Sequence, residues 1–189
     1  MLEFDTNRCK EIAVTARQLC KGDFLVKLKE IALHKPFAVL LREKDLDFDK
    51  YLALSQRAGR ICGAQGVPLI AHTHPVPEIH NLHVPFGLAS PELAQKYALS
   101  VSVHSEEEAR RAEFVGAQFL IAGHIFDTAC KPGAEPRGLT FLWEVCEAVS
   151  IPVFAIGGIT DANRGACLAV GAAGVCRMSY WMEGELGEP

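Results

Sequence analysis

Short apolar runs recur along the chain and alternate with longer amphipathic stretches. Residues 37–41 (Phe-Ala-Val-Leu-Leu), 67–71, 119–122 and 151–156 are almost wholly apolar, the composition of strands buried on both faces. Residues 11–15, 79–84 and 172–178 fit strands as well, and 99–104 alternates apolar with polar. Between them the period changes. Apolar residues at 24, 25, 28, 31 and 32 predict a helix over 24–34, entered at Asp23 and stopped by Pro36. Residues 48–63 form a second amphipathic pattern, with Leu52, Leu54, Ala58, Ile61 and Cys62 on or near one face. Ser90-Pro91-Glu92 and Ser105 followed by three glutamates are helix starts. Further helices are expected over about 139–149 and from a Thr160 or Asp161 cap to about Gly171.

About eight strands with helices between most of them predict a parallel α/β fold. The expected architecture is a small (β/α)8 TIM barrel in a single domain over residues 1–189, with an open doubly wound sheet as the competitor. Polar residues at the ends of many strands favour the barrel, as do glycines at the ends of the last two. At 189 residues the chain is short for such a barrel, which typically needs about 200 or more. Two economies are predicted. The stretch His72 to Glu78, with two prolines, leaves no room for a third helix, and the last helix is missing or truncated. Apolar surface exposed there would suit another copy of the chain, so a homo-oligomer (a dimer or higher) is expected. Trp181 and the acidic residues after it read as a frayed end.

Composition narrows the class. Nearly half the residues are hydrophobic (49%), enough for a core without staples. A net charge of −4 and no basic run argue against nucleic acid as a partner. No apolar run approaches the ~20 residues that span a membrane, and the charged first ten residues do not read as a secretory signal. Seven cysteines, without a CxxC pair, are expected to be reduced thiols of a cytoplasmic protein.

The candidate chemistry lies after the strands. The run Phe119 to Gly123 opens directly into His124, Asp127, Thr128, Cys130 and Lys131. Histidine moves protons near neutral pH, so His124 is the candidate catalytic residue, although a histidine so placed can also be structural. Thr128 and Lys131 can hold a substrate or order the loop, and Cys130 has no evident base to make it a nucleophile. Gly157 and Gly158, between a strand and a helix, can bring backbone N–H groups to a phosphate or simply form a tight turn. Met178 and Ser179, after the last strand, can complete such a cradle. Arg42 and Lys44 lie two apart, on the same side of a strand end, with Glu43 opposite, and suit an anionic group. Ser102 and His104 end the fifth strand and can line a pocket. His72, His74, His80 and His83 form a cluster, but no carboxylate or cysteine stands near at a recognised metal-site spacing, and no metal is assigned.

These residues fall into longer matching stretches: Leu41-Arg42-Glu43-Lys44, Ser102 to Ala109, Gly123 to Lys131, Arg137-Gly138-Leu139 and Ile151 to Ile159. In that order they resemble the thiamine phosphate synthase superfamily, and within it the thiazole tautomerase (TenI-type) branch. Histidine rather than proline after Gly123 points to the tautomerases. So does Ala71-His72-Thr73-His74 where the synthases carry an Asn-Asp pair whose acid helps bind magnesium pyrophosphate. The resemblance implies aromatisation of a thiazole phosphate carboxylate in thiamine biosynthesis, with His124 moving the proton and no cofactor. Gly157, Gly158 and Ser179 would hold the phosphate, and Arg42, Lys44 and Lys131 would screen charge. Two alternatives stand beside it. One is a thiamine phosphate synthase using magnesium to join a pyrimidine pyrophosphate to the thiazole phosphate. The other is a non-catalytic binder of such phosphates.

Overall fold

The computed structural model describes residues 11–130 and 133–187. The elements in chain order are β1 (Glu11–Val14), α1 (Phe24–Leu33), β2 (Ala38–Leu41), α2 (Phe48–Ala64), β3 (Leu69–His72), β4 (Asn81–Pro85), α3 (Pro91–Lys96), β5 (Ala98–Val103), α4 (Glu106–Phe114), β6 (Phe119–Gly123), α5 (Gly138–Ala148), β7 (Val153–Ile156), α6 (Arg164–Ala169), β8 (Gly174–Arg177) and α7 (Ser179–Glu183). The strands close into a parallel barrel in sequence order, so the small TIM barrel expected from the alternation is the fold. No helix joins β3 to β4 among the described residues. The connection is a short turn closed by a bridge between Val76 and Ile79.

Helix starts follow local chemistry. Asp23 accepts from the N–H groups of Leu25 and Val26, Asp47 from Lys50, Ser90 from Leu93 and Ser105 from Glu108. Each satisfies a donor that the first helical turn leaves unpaired, worth about 1 kcal/mol. The sixth helix is a correction. Neither Thr160 nor Asp161 caps it. It begins at Arg164, and the Asn163 side chain instead accepts from Thr160 N–H and donates to the Gly158 carbonyl.

Contacts within the chain define two compact units. In the first, the described residues up to Leu82 join those from Arg177 onward. β1, β2 and β3 pair in parallel, with Ala13 opposite Val39 and Leu41 opposite Ala71. Beside β1, Glu11 and Arg177 form a buried ion pair of 2.6 Å, and the Arg177 guanidinium lies over the Tyr180 ring at 3.5 Å. Here the predicted frayed end is also corrected. Residues 179–183 are helical, Trp181 is only 4% exposed, and its ring meets His34 edge-on. An indole can bury more apolar area than any other side chain, so one tryptophan anchors a five-residue helix in place of a full last helix. Val26 and Leu33, one face of α1, remain exposed.

The second unit runs from His83 to Cys176. β5, β6, β7 and β8 pair in parallel, with Ser102 opposite Ile121, Gly123 opposite Ile156 and Ile156 opposite Cys176. Phe119 and Phe154 stack edge-to-face within its core. Among the cysteines, Cys62, Cys167 and Cys176 are buried, while Cys130 is exposed; Cys9 lies outside the described residues. Among the described residues, no helix is long and apolar enough to cross a membrane.

Candidate active site

β6 delivers His124 as the residue after its last glycine. The side chain is buried, at 7% exposure, and its Nε2 lies 3.3 Å from the Ala134 carbonyl, within the same loop. The backbone around it is pinned on two sides. Ile125 and Phe126 donate to the carbonyls of Ile156 and Gly157, and Arg137 and Gly138 donate to those of His124 and Ile125. His124 is therefore clamped between the end of β7 and the start of α5 rather than carried on a free loop.

The glycines after β7 make that clamp possible. Gly157 has φ +104°, and a Cβ added to it would lie 2.3 Å from the His124 Cβ and 2.8 Å from its Cα. Gly158 has φ +63°, and its added Cβ would meet the Asp127 carbonyl oxygen and the Phe126 backbone. Both positions need glycine for conformation and for space. The glycine pair thus touches the His124 segment directly. On the same loop, the Thr128 hydroxyl accepts from Cys130 N–H at 3.3 Å, so it orders the loop. An open depression, lined by Asp127, Thr128 and residues 133–136 among others, lies beside it. Lys131 lies outside the described residues.

Ser102 is half-buried on β5, and its hydroxyl lies 2.7 Å from Nε2 of His83. His83 is itself 2% exposed, with Nδ1 2.9 Å from the Ser100 hydroxyl. A neutral imidazole donates from one nitrogen and accepts at the other, so the two serines and the ring satisfy one another. Sequence reasoning grouped His83 with the other histidines and did not find this. The usable signal was Leu99-Ser100-Val101-Ser102-Val103, which sets both hydroxyls on one face of β5.

In the first unit, Arg42 and Lys44 follow β2. Arg42 is half-buried and its N–H donates to the Thr15 hydroxyl; Lys44 is exposed in a turn. Glu43 is buried between them. It accepts from the Thr15 hydroxyl (2.6 Å) and the Arg17 N–H (2.9 Å), and burial raises its carboxyl above the usual range despite those bonds. At the end of β3 the Tyr51 hydroxyl donates to the Leu41 carbonyl and accepts from His72 N–H. Burial pushes that phenol up to about 12. Burial first, then the charges of Arg42 and Lys44, push the His72 imidazole down to about 4. Met178 and Ser179 lie where β8 passes into α7, Met178 half-buried and Ser179 exposed.

Magnesium, required by the synthase alternative, finds a poor set of donors at the β3 end. His72, Thr73 and His74 stand there, His72 under the charges of Arg42 and Lys44, and Glu43 is committed to Thr15 and Arg17. Magnesium is a hard ion that wants carboxylate and phosphate oxygen, so these residues do not fit it.

Similarity to known proteins accords with this architecture. The family model described as thiamine monophosphate synthase matches residues 11–180. A protein named putative thiamine-phosphate synthase 2, from Aquifex aeolicus, is 33% identical over 90% of this chain and 96% of its own. The thiamine-phosphate synthase of Roseiflexus castenholzii is 32% identical over 94% of this chain and 83% of its own. Among solved structures, the thiamine phosphate pyrophosphorylase of Pyrococcus furiosus superposes with a TM-score of 0.81 at 26% identity, covering 95% of this chain and 90% of that one.

Proposed function

The chain belongs to the thiamine monophosphate synthase family, and from that premise we propose that it is an enzyme of thiamine phosphate biosynthesis that aromatises a thiazole phosphate carboxylate by proton transfer. The observation that carries this reading is His124, a buried imidazole held at the end of β6 by backbone bonds and packed against Gly157. In the reaction the ring loses its C2 proton and the exocyclic carbon gains one, so no electrons leave and no bond between heavy atoms breaks. The task is to hold a ligand that carries a phosphate and a carboxylate and to shuttle one proton. His124 is the acid–base group. Backbone N–H groups around Gly157 and Gly158 take the phosphate, and in the other unit the Ser179 hydroxyl, next to Met178, is a further donor. Arg42, Lys44 and Lys131 screen the remaining charge, Ser102 offers a hydroxyl fixed by His83, and Thr128 keeps the loop in shape.

A second reading has a specific observation behind it. The relatives are named for the synthase reaction, and by name they favour condensation of a pyrimidine pyrophosphate with the thiazole phosphate. Against it stands the donor set at the β3 end. One pair of assays separates the two. Purified protein should aromatise the thiazole tautomer, and His124→Gln should slow turnover by about 100-fold or more. Appreciable thiamine phosphate from both substrates and magnesium, with no effect on the tautomer, would make condensation the function.

A further inference from the structure

His124 is held at both ends of its side chain. At the root, the bare Gly157 backbone packs against its Cα and Cβ. At the tip, Nε2 lies 3.3 Å from the Ala134 carbonyl. A carbonyl oxygen only accepts, so Nε2 carries the hydrogen of this bond. A neutral imidazole has one N–H, and with it on Nε2 the lone pair is on Nδ1.

Nδ1 is the open corner of the ring. Among the described residues His124 makes that one side-chain hydrogen bond. The sealed side-chain nitrogens and oxygens without a partner there are Arg17 Nε and Trp181 Nε1, so His124 Nδ1 is not shut in the core. The acceptor at the other corner is held as firmly as the ring. The segment that carries Ala134 returns to the backbone it serves: Arg137 N–H donates to the His124 carbonyl and Gly138 N–H to that of Ile125, each at 3.0 Å. Pro136 stiffens the approach. It fixes its own φ and restricts Glu135 to extended backbone, and the Glu135 nitrogen shares the peptide plane of the Ala134 carbonyl.

We propose that Nδ1 of His124 is the atom that takes and returns the proton, and that the Ala134 carbonyl, oriented through Pro136, is the positioning group that keeps the ring in that tautomer. The inference deepens the proton-transfer reading and rests on it for the identity of the substrate.

The step balances on one nitrogen. The C2–H bond breaks, its electron pair enters the thiazole ring, and the proton joins the Nδ1 lone pair. The imidazole is then a cation with hydrogen on both nitrogens. The exocyclic double bond supplies the electron pair for the new C–H bond, and Nδ1 gives the proton back. No other reactant is needed. While the imidazole is a cation, its Nε2–H bond to Ala134 is charge-assisted, roughly twice as strong as a neutral one. The carbonyl therefore favours the proton-loaded state over the resting one, as a contact that lowers the barrier must.

The first test needs no substrate. In the full chain, with histidine labelled in its ring nitrogens, long-range nitrogen–proton correlation reads His124 at about pH 8, where an imidazole is ordinarily neutral. Nε2 should give the protonated signature and Nδ1 the bare one. The second test blocks one nitrogen at a time by methylation. His124→Nδ1-methylhistidine should lower turnover of the thiazole tautomer by about 100-fold or more. His124→Nε2-methylhistidine keeps the lone pair on Nδ1 and should lose about tenfold less than that. Pro136→Ala, at an exposed position, should lower kcat several-fold with KM little changed, and should admit the other tautomer to the spectrum. A hydrogen on Nδ1 in the resting protein, equal losses from the two methylations, or a Pro136→Ala protein with the parent's kcat and tautomer overturns the proposal. The expected nitrogen signatures without any turnover sink the proton-transfer reading, and the role of Nδ1 with it, but leave the anchored tautomer standing.

Discussion

Replacing Gly157 by alanine probes the contact on which the catalytic reading stands. The added methyl would sit 2.3 Å from the His124 Cβ and 2.8 Å from its Cα, and neither is the end of a flexible side chain. The backbone at 157 is also at φ +104°, where an L side chain costs about 1–2 kcal/mol before any contact. Overpacking adds about 1–3 kcal/mol. The sum is about 2–5 kcal/mol, which for a chain of this size lowers the melting temperature by about 5–20 °C. Thermal and urea unfolding measure it directly. Gly165→Ala is the control. Nothing lies within 4 Å of its added Cβ, it sits in α6, and the change should stabilise by about 0.5–1 kcal/mol. Whatever Gly157→Ala protein remains folded should lose turnover as well, because a displacement near 1 Å at the reacting group costs about 100-fold. A Gly157→Ala protein as stable as the parent, within about 1 kcal/mol, would mean that the β7 loop does not hold His124, and the reasoning would fail.

Three further outcomes follow from the first unit. His72 has a folded value of about 4 against an ordinary 6.5, so its contribution is complete above about pH 6.5 and is lost as the pH falls toward 4; the loss is up to about 3 kcal/mol, and urea midpoints across that window should show a shallower decline in His72→Gln. Arg177→Gln leaves the Glu11 carboxylate buried without its cation and should cost about 3–5 kcal/mol, with the double variant Arg177→Met, Glu11→Leu recovering much of it; equal loss in both would show that packing, not charge, matters there. Tyr51→Phe removes the hydroxyl between Leu41 O and His72 N and should cost about 1–3 kcal/mol; a change below a few tenths would deny the bridge its role.

The sequence made the strand–helix alternation, the lost third helix and most caps legible because each is local. Asp23, Ser90 and Ser105 act within three residues of themselves. What it hid depends on partners far along the chain. Glu43 read only as the member of a charged trio opposite Arg42 and Lys44, yet its carboxylate serves Thr15, 28 residues earlier. His83 read as one of four histidines, yet its partners are serines 17 and 19 residues later. Trp181 read as frayed because acidic residues follow it, whereas its indole is buried and meets His34, 147 residues earlier. The glycine pair was recognised as a turn or an anion cradle. Its requirement for bare backbone against His124 and Asp127 is a packing fact that no spacing encodes.

How each strand end handles charge bears on the choice between condensation and proton transfer. Expelling pyrophosphate concentrates negative charge on the leaving group, and the usual remedy is a divalent ion held by carboxylates. The β3 end offers imidazole instead, beside two cations that would repel such an ion. Protonating an imidazole there supplies one unit of positive charge where a magnesium ion supplies two. Moving a proton around a thiazole ring leaves the ligand's net charge unchanged, so cations that hold the anion and one poised imidazole suffice. Proton transfer is therefore the chemistry that asks least of the β3 end, which is why the proposed reading gives it to this chain and assigns it to His124, on the other compact unit.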